Sequence, residues 1–198
     1  MPDYYLLYKP YKVLSSVGTA QGKISLQDII KLQKHVYPVG RLDEDSEGLL
    51  LLTDDKKINH LLLHPSFSHE REYHVQVEGI ITRQALDILS TGFEINIKGS
   101  HHRTLPADVS LLENIAYIPD RVPPVRTRQH IPTSWIRMIL TEGKNRQVRK
   151  MTAHVGFPTL RLIRYRIGDI DLGNLQPGEF KKISRNSFYK KLFGHQKL

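Results

Sequence analysis

VGRLDEDSEGLLLLTD, residues 39–54, holds two incompatible chemistries in one short stretch. Asp43, Asp45 and Glu47 alternate ahead of Gly48, and Asp54 closes a run of twelve, which is close to the spacing of a calcium loop. Such a loop needs a bidentate glutamate at its last position and a helix leading into it. Here the last position is an aspartate, one methylene shorter, and Pro38 and Gly40 break any helix before it. A plainer reading is a turn between two strands, since Asp, Ser and Gly are turn formers. That leaves Arg41, two residues before Asp43, and the wholly apolar run at residues 49–52 unexplained. A third reading uses both. A carboxylate held on a loop beside a buried strand, with arginine nearby, stays ionised and available for nucleophilic or proton-transfer work.

The rest of the chain narrows the choice. It has 198 residues, 39% of them apolar and 25% charged, an ordinary globular composition with enough length for a real core. There is no cysteine, so disulfides, thiolate catalysis and cysteine-ligated zinc are excluded, and a reducing cytoplasm is expected. The opening MPDYYLLYKPYKV has an acid and lysines where a signal peptide needs an apolar core, and the run at 49–52 is far too short to span a bilayer. Lys and Arg number 29 against 20 Asp and Glu, a net charge of +9 that favours a polyanion such as nucleic acid. The cations crowd the second half and most are arginine, whose planar fork suits phosphates and stacking on bases.

Periodicity places the elements. Strands are expected at residues 4–8 and 49–53, and REYHVQVEG (71–79) alternates, with Tyr73, Val75 and Val77 on one face and His74, Gln76 and Glu78 on the other. A helix at about 56–64 follows Asp54-Asp55 and stops at Pro65; a second opens at Thr82 and ends at Gly92. Short strands follow near 93–97 and 107–112. YIPDRVPPVRTRQHIP (117–132), with four of the eleven prolines, reads as an ordered, positively charged surface loop. SWIRMILTEG (134–143) is a strand, KNRQVRKMTAHVG (144–156) a helix capped by Asn145 and ended by Gly156, and TLRLIRYRIG (159–168) a further strand. The order lacks regular strand–helix–strand crossovers, so α+β with a mixed, mostly antiparallel sheet is expected.

Four segments in this order resemble the motifs of the RsuA/RluB/RluE/RluF family of ribosomal RNA pseudouridine synthases: YYLLYKPYKVLSS (4–16), GRLDEDSEGLLLLTDD (40–55), REYHVQVEG, and EGKNRQVRKMTAHVGFPTLRLIRYRIG (142–168). The resemblance covers nearly the whole chain. RTLPA (103–107) and IPTSWIRMILTEGKNRQVRKM (131–151) are nearest to its large-subunit branch. Lys12 departs from the opening motif, which often has glycine there. The resemblance implies one catalytic domain, residues 1–198, its sheet in two halves flanking a cleft and with no S4 RNA-binding module ahead of it. It implies isomerisation of a uridine in large-subunit ribosomal RNA without cofactor or metal, by a monomer in the cytoplasm, with no membrane and no obligate protein partner.

The same resemblance distributes roles. Asp43 becomes the essential carboxylate, either nucleophile at the sugar or base on its 2′ hydrogen. Tyr73 stacks on the target base, with its hydroxyl placed for proton transfer from C5. Arg149 pairs with the aspartate, Leu162 packs against the base, and Arg41 fills the space that a flipped uridine vacates or holds the backbone. Lys144, Arg146, Lys150 and Arg164 line the RNA groove as phosphate contacts. Asp45 and Glu47 are left as loop-shaping or solvent-facing residues. His60 and His64 have a zinc-compatible spacing, but Leu61 stands where the zincin pattern needs Glu; His101 and His102 fall in an expected polar loop. RNSFYKKLFGHQK (185–197) is a basic amphipathic tail that either touches RNA or forms a solvated last helix. The alternative to catalysis is an RNA-binding ribosome-assembly factor using the same basic surface.

Overall fold

The computed structural model describes residues 2–18, 22–33, 35–63, 69–126, 128 and 130–194. It divides into two compact units, Met1–His69 with Arg164–Leu198, and Glu70–Ile163.

The first unit is built on the leucine run. Strand β1 (Tyr4–Lys9) pairs antiparallel with β5 (Glu47–Thr53), from Tyr4 opposite Thr53 to Lys9 opposite Gly48. All seven residues of β5 are buried, which is why the run is continuous and not alternating: both faces of this strand are covered. Leu50 and Leu52 join Leu7, Leu26 and Val36 in one apolar cluster. The helix α5 (Arg185–Phe193) buries Phe188, whose ring lies 4.8 Å from that of Tyr4. β13 (Phe180–Lys182) lies on the other side of β1, and β4 (Tyr37–Val39) pairs antiparallel with β5. A two-residue parallel pair, β2 (Val13–Leu14) with β3 (Ile24–Ser25), leads into α1 (Leu26–Ile29). Helix α2 (Lys56–Leu63) starts at Asp55, whose carboxylate accepts from Lys57 N at 3.1 Å. The Pro65 stop and His64 fall outside the described residues, as do residues 195–198 of the tail.

In the second unit β6 (Arg71–Glu78) pairs antiparallel with β10 (Thr133–Leu140), and β10 with β9 (Asp108–Leu111). Tyr73, Val75 and Val77 enter the core as alternation predicts, together with Leu86, Leu89 and Met138. The opposite face is not left to solvent: His74 is 2% exposed, with its Nε2 3.1 Å from Glu72 Oε1. Helix α3 (Arg83–Thr91) has the expected termini: the Thr82 hydroxyl accepts from Ala85 N at 3.2 Å and Gly92 ends it at φ +77°. A hairpin of β7 (Glu94–Ile97) and β8 (Ser100–Arg103) replaces the single strand expected there, and His101 and His102 lie in β8, not in a loop. Helix α4 (Gln147–His154) precedes β11 (Thr159–Ile167), which straddles the division between the units and pairs antiparallel with β12 (Ile170–Asp171). No helix among the described residues is long and apolar enough to cross a membrane.

Candidate active site

Asp43 sits on the loop between two strands, β4 and β5, so the helix–loop–helix frame of a calcium site is absent here. Glu47 is already in β5 and 1% exposed, which corrects the expectation of a solvent-facing residue. Glu44 is engaged by Lys23 Nζ at 2.7 Å. Among the described residues no group of three His, Cys, Asp or Glu could hold a metal ion.

What holds the loop is a set of bonds to its backbone. Gly40, at φ +66°, turns the chain out of β4. Leu42 is gripped on both sides by one hydroxyl, Ser15 Oγ donating to Leu42 O at 2.8 Å and accepting from Leu42 N at 3.1 Å. Lys12 N donates to Glu44 O at 2.9 Å, and Ser46 N closes a turn onto Asp43 O at 3.1 Å. Lys12 has φ +64°, the left-handed region, which suits the glycine that the resembled opening motif often has there. Between these anchors the Asp43 side chain is half-buried.

Lys9 stands beneath the loop and is fully buried. Its ammonium donates to Pro10 O at 2.8 Å and Val13 O at 2.6 Å. Burial pushes its pKa down to about 8, against the opposing pull of Glu47, Asp45 and Glu44. Sequence reasoning gave Lys9 no role. The available signal was a lysine ending a strand that is otherwise apolar or aromatic.

The second unit gathers the other predicted residues into two groups. Tyr73, 9% exposed, and Leu162, 6% exposed, belong to one apolar cluster that also holds Val148 and Met151 of α4. Lys144 and Arg146 are exposed on the turn before α4, while Arg149 and Lys150 are half-buried in its first turn. Asn145 does not cap this helix. Arg146 occupies the N-cap position at φ +53° and its side chain makes no capping bond, while the Gln147 amide ties the turn, accepting from Lys144 N at 2.9 Å and donating to Glu142 Oε1 at 2.6 Å. Glu142 also accepts from Leu105 N at 2.9 Å and lies 2.9 Å from His102 Nε2. Neither Gln147 nor Glu142 was flagged by the sequence, because a carboxylate and an amide five residues apart carry no sign of a shared partner. Lys150 Nζ donates to Asn96 O at 2.7 Å.

The RNA pseudouridylate synthase family model matches residues 3–154, a span that contains the Asp43 loop, the Tyr73 strand and Arg149. This chain belongs to that family. Among similar proteins, the ribosomal large subunit pseudouridine synthase E of Vibrio parahaemolyticus is 47% identical over 175 residues, covering 88% of this chain and 71% of its own. The Xanthomonas campestris protein of the same name is 46% identical over 178 residues, covering 89% and 92%. The ribosomal large subunit pseudouridine synthase B of Bacillus subtilis is 32% identical over 184 residues, covering 92% and 68%. The crystal structure of a pseudouridylate synthase matches 97% of this chain and 74% of that one with a TM-score of 0.77 at 22% identity, which establishes the fold.

One residue of this pseudouridylate synthase departs from its expected place. Arg164 is 3% exposed, and its guanidinium donates to Leu49 O at 2.9 Å and Gly40 O at 2.8 Å. A side chain so enclosed does not present its charge to phosphate, so the assignment to the RNA groove is withdrawn. Arg41, by contrast, is exposed.

Proposed function

We propose that this protein isomerises a uridine of large-subunit ribosomal RNA to pseudouridine, with Asp43 as the essential carboxylate and no cofactor. The family match across residues 3–154 carries the reading, and the relatives named as large-subunit enzymes support the choice of RNA. In the reaction the bond from C1′ to N1 breaks, the base turns over, and a bond from C1′ to C5 forms; C5 gives up its proton and N1 gains one. Asp43 acts at the sugar, as nucleophile or as base on the 2′ hydrogen. Tyr73 stacks on the base with its hydroxyl toward the C5 proton, Leu162 packs against the ring, and Arg149 pairs with the Asp43 carboxylate in the working site. Arg41 serves uridine extrusion, and Lys144, Arg146 and Lys150 contact phosphates. The two units work as one catalytic domain, acting as a monomer in the cytoplasm.

The test is tritium release from large-subunit RNA labelled at uridine C5, with filter binding in parallel. Wild type releases tritium. Asp43→Asn folds and binds RNA with wild-type affinity yet releases none, because the variant keeps the shape and loses the reactive group. Turnover by Asp43→Asn would remove Asp43 from its role. Tight binding without release by wild type, on both naked RNA and particles lacking the modification, would favour the assembly factor.

A further inference from the structure

The Asp43 loop is a backbone problem before it is a chemical one. A carboxylate that must meet one atom of the sugar has to be placed to a fraction of an ångström, yet loops are where backbone order is weakest. Residues 40–49 contribute little apolar anchorage until β5 begins, and Arg41 is exposed.

Arg164 supplies the missing constraint. Its Nε–H and Nη2–H lie on one edge of the planar guanidinium and reach two carbonyls that bracket the loop, Leu49 O inside β5 at 2.9 Å and Gly40 O at 2.8 Å. Asp43 lies between those two points in the chain. The backbone of Arg164 is fixed against the same loop, since a Cβ on Gly48 would lie 2.3 Å from Arg164 O. Glycine at 48 therefore admits the arginine main chain, and the arginine side chain then fastens the two ends of the segment. Ser15 holds the middle independently through Leu42.

We propose that Arg164 is a positioning residue for Asp43, acting on the loop backbone and making no contact with RNA; for its catalytic consequence this rests on the isomerase reading above. Lysine cannot replace it, because one ammonium on a flexible stem does not present two parallel donors.

Arg164→Lys and Ser15→Ala are the variants, the second touching the same loop from another side should the first fail to fold. Three quantities decide: steady-state kcat with KM, RNA affinity against salt, and amide hydrogen exchange across residues 40–49. For Arg164→Lys, kcat falls about a hundredfold, the scale expected of a misplaced catalytic group. RNA affinity and its salt slope stay at wild-type values, and exchange accelerates in the loop but not along β1. Ser15→Ala gives the same pattern in weaker form. Weakened RNA binding with the salt slope reduced by about one, the mark of a lost phosphate contact, would overturn the proposal. So would unchanged loop exchange in Arg164→Lys, whatever Ser15→Ala shows. If wild type releases no tritium, the isomerase reading fails on that result alone, and hydrogen exchange still decides whether Arg164 holds the loop.

Discussion

Gly48→Ala is the sharpest perturbation of the loop that the structure offers. Two costs are distinct. Gly48 sits at φ +107°, where an L side chain is strained by about 1–3 kcal/mol. Its added Cβ would also lie 2.3 Å from Arg164 O, 2.7 Å from Arg164 N and 2.9 Å from Arg164 C, all backbone atoms that cannot rotate away. Relieving the closest contact to 3.0 Å requires a shift of 0.7 Å (3.0 − 2.3) in one of two neighbouring backbone segments. Overpacking of this kind costs about 1–3 kcal/mol. Together the loss is on the order of 4 kcal/mol, a large part of the roughly 5–15 kcal/mol that stabilises a protein. For a chain of this size the thermal midpoint should fall by about 8–16 °C.

Gly156→Ala is the internal control. Gly156 has a similar φ of +88°, but a Cβ there meets nothing within 4 Å, so only the strain remains. It should lower the midpoint by about 2–12 °C, from the same roughly 1–3 kcal/mol of strain alone. Thermal melts of the three proteins, followed by circular dichroism, make the comparison. Equal shifts for the two variants would refute the reasoning, because the close approach of Arg164 to Gly48 would then contribute nothing.

Two further outcomes concern buried charge. For Lys9 the folded pKa of about 8 lies below the ordinary 10.5, so between those values the unfolded chain binds more protons and stability rises with pH. Relative to Lys9→Met, wild type should therefore gain about 3 kcal/mol from pH 8 to 10.5 and show a constant difference below pH 8; parallel urea-midpoint profiles would sink this. Burial pushes the Asp55 carboxyl up, but bonds from Tyr189 Oη and Tyr4 Oη at 2.7 Å each and from Lys57 N, with Arg185 nearby, hold it below its ordinary value. The resulting stability is present above the ordinary carboxylate pKa and lost as pH falls through the depressed one. Asp55→Asn should therefore cost about 2–3 kcal/mol near neutrality and flatten the acid limb of the stability profile, which acid titration of both proteins checks.

Local signals fixed much of this fold, and they failed for identifiable reasons. The leucine run, the alternation of residues 71–79 and the Thr82 and Gly92 termini are each set by neighbours a few residues away, so they could be read directly. The β7–β8 hairpin could not. Its turn places Lys98 at φ +52° and Gly99 at φ +87°, two positive values that lysine does not announce, and its second strand, SHHR, is largely exposed and lacks an apolar rhythm. Asn145 looked like a cap because its side chain suits one, but the glutamine two residues on reaches back to the same turn. Asp43 stood out through its motif, and its role is proposed on that motif. Its supports were not, since Ser15 is 27 residues from Leu42 and Arg164 is 115 from Leu49 in sequence. A strand arginine that faces RNA and one that grips carbonyls have the same letter and the same neighbours.

The supports share a feature that explains how this loop can be both rigid and chemically open. Most of them act on main-chain atoms: Gly40 O, Leu42 N and O, Glu44 O and Leu49 O. The Glu44 carboxylate, held by Lys23, is the exception. Had the loop been ordered mainly by its acidic side chains, as a calcium site is, ordering and reactivity would compete for the same oxygens. Holding the backbone instead moves the cost elsewhere, into a buried guanidinium, a buried ammonium beneath the loop and two glycines at positive φ. Those are the features that a protein selected for stability alone would shed, because replacing buried ions by well-packed apolar groups is often neutral or stabilising. Their concentration around residues 40–49 is what the role proposed for Asp43 requires, a loop whose backbone is held at some cost in stability.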